Sequence, residues 1–109
     1  MATIEDFAKI ELRVGKILEV EDVEKARKPI YKLTIDFGEE IGRRTILAGI
    51  KDRYSKDELA DKKIICIVNL EPKIIAGIES QGMVLAAEDS QTISLLTTDR
   101  EVKEGGIIR

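Results

Sequence analysis

Histidine and tryptophan are absent from this 109-residue sequence, cysteine occurs once and proline twice. Without histidine there is no Ser-His-Asp triad, and Cys66 has no imidazole to activate it as a nucleophile. One cysteine also rules out an intramolecular disulfide and, with no histidine, a zinc site of the usual ligand types. Neither a metal nor a cofactor is expected. No apolar run is long enough to span a membrane and no signal-peptide pattern is present, so a cytoplasmic setting is expected. Aromatic residues are only Phe7, Tyr31, Phe37 and Tyr54. A nucleotide-cradling glycine loop is missing. The carboxylate pairs Glu39/Glu40 and Asp57/Glu58 sit beside a turn and at a helix start, where acids are stabilised anyway. An enzyme is not expected.

What is present is charge. Charged residues make up 36% of the chain and hydrophobic residues 43%, a globular balance for one domain over residues 1–109. The net charge is −3, but it is unevenly spread. Residues 1–24 hold seven acids against three bases, residues 25–53 eight bases against four acids, and residues 54–109 ten acids against seven bases. The middle third is therefore the candidate for a phosphate-attracting face.

Thr3, with Asp6 three residues later, signals a capped short helix through about Lys9. "LRVGKILEVEDV" reads as a long strand whose phase slips after Gly15, the mark of a bulge or sharp bend. "IYKLTIDFG" alternates cleanly, with Tyr31, Leu33, Ile35 and Phe37 on one face and Lys32, Thr34 and Asp36 on the other. "GEEIG" reads as a turn before the return strand "RRTILAGI". Ser55 and Glu58 form a second capping box for a helix through about Ala60. "KKIICIVNL", "MVLAAE" and "TISLLTT" complete a set of about five strands, with Asp89, Ser90 and Gln91 turning between the last two. The pattern by itself gives an all-β barrel with short helices.

Between two of these strands lies "NLEPKIIAGIESQGMVLAA", Asn69 to Ala87, an irregular connection holding Pro72, Gly77, Ser80 and Gly82. It resembles the signature of the tRNA-binding domain attached to methionyl-tRNA synthetases, matching at Asn69, Leu70, Pro72, Lys73, Gly77, Ser80, Gly82, Met83 and Leu85. The resemblance extends through "DFAKIELRVGKILEVE", "RTILAGI" and "VKEGGIIR", almost the whole chain. "ARKPIYKLTIDFG" is more similar to CsaA, a chaperone-like protein associated with secretion. The resemblance implies an OB-fold, a five-stranded Greek-key barrel with N- and C-terminal extensions.

Strands two and three of such a barrel present the usual nucleic-acid surface. The candidates there are Lys25, Arg27, Lys28, Lys32, Arg43, Arg44, Lys51 and Arg53, with Lys73 beside Pro72 as a further phosphate contact. Either these form a cationic face or they are the solvated residues of a charge-rich protein. By the resemblance, Ser80 hydrogen-bonds RNA or holds its loop, Met83 rests against sugar or base, and Gly82 offers nearby backbone amides. The alternatives are a turn-capping serine and a methionine that begins a core strand. Asn69 is expected to bond backbone, Arg13 either joins the basic surface or pairs with a carboxylate, and Cys66 fills the core. Tyr54 is the ring expected at the surface, so recognition rests on shape and phosphate rather than on a stacking platform. The implied function is tRNA binding in trans, as a homodimer through the extensions, either as a free-standing tRNA-binding protein or as a beta-subunit-like partner of methionyl-tRNA synthetase. The other implied function is a CsaA-like dimeric chaperone for unfolded polypeptides. A dimer would bury the short helix, Ile107 and Ile108; otherwise both ends fold back over their own barrel.

Overall fold

The alternation in "IYKLTIDFG" becomes strand β2, Tyr31–Asp36, whose residues are buried and half-exposed in strict turn, with Phe37 ending the inner row. The computed structural model describes every residue, Met1–Arg109. The long first strand, β1 at Leu12–Asp22, serves two neighbours in succession. Its first half pairs antiparallel with β4, Lys63–Ile67, and its second half with β2. The register shifts between Ile17 and Glu19, so the phase slip in the sequence is a β-bulge. Just before it, a Cβ on Gly15 would stand 2.5 Å from Ile35 Cγ2 and 2.6 Å from Phe37 Cε1. The bend needs glycine because the core lies directly against that backbone.

β2 pairs with β3, Arg43–Ala48, through a hairpin whose "GEEIG" is one helical turn, α2 at Gly38–Ile41, not the plain turn expected. Helix α1 (Ile4–Ala8) has both hydrogen bonds of its capping box, Thr3 with Asp6. Helix α3 (Lys56–Leu59), between β3 and β4, has the same box from Ser55 and Glu58. The signature segment is more regular than its composition implied. Strands β5 (Lys73–Ile75) and β6 (Ile78–Ser80) form a tight hairpin turned by Ala76 and Gly77, both at positive φ. "MVLAAE" is two strands: β7, Met83–Val84, pairs with β4, and β8, Ala86–Glu88, pairs with β9, Ile93–Leu95. At their turn the Asp89 carboxylate accepts from the Gln91 and Thr92 N–H groups, each at 2.8 Å.

The main sheet runs β3-β2-β1-β4-β7 and nearly closes into a five-stranded barrel of OB type. Closure between its edges is by the residues of "ESQG". The Gln81 N–H donates to Thr45 O at 2.8 Å, and Gln81 Oε1 and Ser80 Oγ accept from the Thr45 and Leu47 N–H groups, each at 3.0 Å. Ile17, Leu33, Ile35, Phe37, Ile46, Leu59, Ile64 and Cys66 fill the interior. Burial pushes the Cys66 thiol up to about 12, so it is core filler and not a nucleophile. The C-terminal segment runs along the first half of β1, with Gly105 N–H donating to Val14 O at 2.8 Å and Ile108 N–H to Leu12 O at 3.1 Å.

Candidate nucleic-acid interface

The loop joining β1 to β2 and the loop joining β3 to α3 meet at one end of the barrel, where Lys51 N–H donates to Pro29 O at 3.3 Å. Arg27, Lys28 and Lys51 line one open cleft there, with Asp22, Glu24 and Asp52 among its other residues. Lys25, Arg27 and Lys28 are exposed and form no ion pair. Three of the other expected cations do have acidic partners. Lys32 lies 3.9 Å from Glu21, Lys51 3.2 Å from Asp22, and Arg53 3.9 Å from Asp52. Arg43 stands opposite Asp36, at the β2–β3 hairpin and away from the cleft. The expected cationic face is thus reduced to an end, and its charge is partly offset.

The cause is topological. β1 ends in Glu19, Glu21 and Asp22, and antiparallel pairing sets this acidic stretch beside β2, with Glu21 opposite Lys32. The excess acids of residues 1–24 therefore lie against the excess bases of residues 25–53. Exposed pairs of this kind are weak, about 0–1 kcal/mol, so an arriving phosphate competes with them readily. Asp22 pairs with two lysines, Lys51 and also Lys56, the latter at 2.9 Å. The hydrogen bond from Lys56, then that from Lys51, keeps the Asp22 carboxyl below its usual range. Its stabilising effect is present above the ordinary carboxylate pKa and is lost as pH falls through the lowered folded-state value. Lys56, missed in the sequence, could have been found from its place just after the Ser55 cap, next to Arg53.

The signature residues divide by role. Ser80 is 4% exposed, and its oxygen accepts from β3, so it holds the loop rather than facing a ligand. Ser80→Ala would leave the buried Leu47 N–H without a partner, an expected loss of about 1–3 kcal/mol. Denaturant unfolding should show that loss as a lowered midpoint. Gly82 admits a backbone, not a ligand, for a Cβ there would meet Ile67 O at 2.5 Å. Met83 is 46% exposed on β7, so it is available for contact and does not begin a core strand. Lys73 is exposed at the start of β5, opposite Ser80. Asn69 bonds backbone, though distant in sequence: its amide donates to Lys9 O and its carbonyl accepts from Glu11 N–H, both at 2.8 Å.

Tyr54 is half-buried, its hydroxyl accepting from Leu95 N–H at 3.0 Å, so it is not a surface ring. The exposed ring is Phe7, on α1. Arg13, 7% exposed, pairs with Glu11 at 2.7 Å and Glu40 at 3.4 Å and donates to Gly105 O at 3.0 Å. It anchors the C-terminal segment and takes no part in the basic end. Beside it, Ile4, Phe7, Ile10 and Ile107 line an apolar groove between α1 and the end of the chain. The last strand-like segment does fold back onto the barrel, yet Ile107 remains 58% exposed and Ile4 76%.

These features define a small OB-type barrel, an architecture in which the second and third strands and their loops commonly carry an oligonucleotide surface. A family model described as "Putative tRNA binding domain" matches residues 12–106, and the chain belongs to that family. The methionine–tRNA ligase of Pyrococcus horikoshii is 50% identical over 105 residues, 96% of this chain. The chain spans only 14% of that ligase's length. Among solved structures, the CsaA chaperone protein of Picrophilus torridus superposes with a TM-score of 0.94 at 47% identity, covering 100% of both chains. A MetRS-related protein from Pyrococcus horikoshii gives 0.89 at 35% identity, covering 100% of this chain and 98% of that one. No helix is long and apolar enough to cross a membrane.

Proposed function

We infer that this chain, a single domain of residues 1–109, binds folded tRNA without chemistry of its own. The observation that carries the reading is the family match across residues 12–106 on a barrel with Lys25, Arg27 and Lys28 unpaired at one end. Phosphate contacts at Arg27, Lys28, Lys51 and Arg53 supply affinity, with Lys32 and Lys73 on the neighbouring strands and Met83 against sugar or base. The likeness to a ligase segment and to a MetRS-related protein supports action beside a methionyl-tRNA synthetase. Filter binding of bulk tRNA over a salt series tests the proposal. Log affinity should fall linearly and steeply with log salt; a flat dependence would remove the phosphate contacts from the account.

The same reading makes the protein a homodimer, joined through the apolar groove of Ile4, Phe7, Ile10 and Ile107. Phe7→Glu places a charge in that seam and should convert the dimer to monomer by light scattering after gel filtration. An unchanged mass would move the interface elsewhere.

A second reading is favoured by the full-length likeness to a CsaA chaperone protein at 47% identity. An unfolded polypeptide would then occupy the apolar groove. Competition between tRNA and a reduced, unfolded client separates the readings. A client that displaces no tRNA, and is not itself retained, leaves the RNA reading alone.

A further inference from the structure

A cleft between β3 and the β4–β5 connection carries chemistry that phosphate contact does not use. Its volume is ≈ 390 Å³, and it is walled by Val68, Leu70 and Pro72. Four polar side chains line it, Arg44, Asn69, Glu71 and Gln81, of which Asn69 is tied to the backbone of Lys9 and Glu11. Arg44 stands in the row of Ile35, so its side chain leaves β3 toward the core side, and one guanidinium nitrogen donates to Val68 O. Its remaining N–H groups have no internal acceptor, and no carboxylate pairs with it. Gln81 has its Oε1 occupied by Thr45 N–H, which fixes the amide and leaves its NH₂ as a free donor. Glu71 is exposed and unpaired. Arg44 and Glu71 thus share one cleft without bonding to each other. That arrangement offers a ligand a fixed donor edge, a separate acceptor and apolar walls.

The geometry points to an unstacked guanine of the bound RNA as the occupant, an inference that rests on the RNA-binding reading. Guanine presents O6 and N7 as adjacent acceptors for an arginine and carries N–H donors for a carboxylate. Its flat ring suits apolar walls, and bases in RNA loops are commonly recognised unstacked. Adenine places its N6 amino donor where Arg44 also donates, and cytosine places a donor there too. Uracil lacks the second adjacent acceptor. A bare phosphate meets Glu71, which repels it. Arg44 and Glu71 are therefore specificity-determining residues, set apart from the lysines that supply general affinity.

Amide chemical shifts of the whole chain, followed during titration with GMP, AMP, UMP, CMP or inorganic phosphate, test this. The N–H groups of residues 68–71 and of Gln81 should respond to GMP at a concentration roughly tenfold below that for AMP. Glu71→Ala, on an exposed loop, should erase the preference without moving the thermal midpoint. Arg44→Lys should weaken GMP binding by about tenfold, since an ammonium cannot reproduce the planar fork. Equal responses to all four nucleotides and to phosphate would overturn the base reading in favour of a plain anion site. No response in the cleft, with tRNA still retained on filters, would overturn the guanine site alone. Failure of tRNA retention as well would remove the RNA reading on which it rests.

Discussion

Gly82→Ala should cost about 3 kcal/mol or more and leave much of the protein unfolded at modest denaturant. Two independent effects act at that position. Its φ of 142° lies where residues with a Cβ are strained. The added carbon would stand 2.5 Å from the carbonyl oxygen of Ile67 and 3.0 Å from Ile46 Cδ1. The first neighbour is backbone and cannot rotate away, so relief requires β7 to part from β4. That movement also draws Gln81 and Ser80 from β3, opening the barrel at the one junction made largely by side chains. Urea unfolding should therefore show a large fall in midpoint, with tRNA binding lost in proportion to the unfolded fraction. A near-parent midpoint would mean that the junction yields cheaply and that Gly82 is there for some purpose other than close approach.

The local parts of this fold were legible because their causes are local. Both capping boxes close within four residues, and both formed. The alternation from Tyr31 to Phe37 needs only a strand with one buried face, and its burial follows it residue by residue. The bend after Gly15 announced itself as a broken phase and is a bulge against Phe37. What escaped were properties that depend on which segments meet. "GEEIG" has the composition of a turn and becomes a helical turn before β3. Tyr54 reads as a surface ring until β9 arrives to donate a hydrogen bond to its hydroxyl. Ser80, read in sequence, either meets a ligand or holds its loop, and the sequence does not choose between them. Only the arrival of β3, more than thirty positions earlier in the chain, makes it a buried acceptor.

Charge shows the same limit most clearly. Summed by segment, residues 25–53 look like a cationic face. Folded, β1 lays Glu21 and Asp22 beside Lys32 and Lys51. The surface that remains cationic is smaller and sits on the β1–β2 loop, where Lys25, Arg27 and Lys28 are exposed and form no ion pair although Glu24 stands beside them. A small patch on a chain of net charge −3 disfavours indiscriminate polyanion binding. On the tRNA-binding reading, affinity for a folded RNA would come from a few well-placed cations together with shape, not from a broad positive field.

The second large effect expected concerns that loop. Replacing Lys25, Arg27 and Lys28 together by Ala should lower tRNA affinity by tenfold or more at low salt and flatten the salt dependence by about one unit of slope per cation. The loss should be alike for all tRNAs, because phosphate contacts carry affinity without sequence information. Stability should hardly change, since none of the three is buried or paired. Asp22→Asn is the complementary test. It removes the acid that holds Lys51 and Lys56, frees both for phosphate, and should raise affinity while leaving the slope equal or steeper. Opposite signs from two changes at the same end of the barrel are hard to obtain from indirect damage to the fold. If the triple variant binds as the parent does, the RNA surface lies elsewhere, with Lys73 and Met83 on the signature hairpin next in line. If Asp22→Asn weakens binding, the carboxylate's value is in aiming the two lysines, and the electrostatic offset seen in the free protein is part of how the contact is shaped.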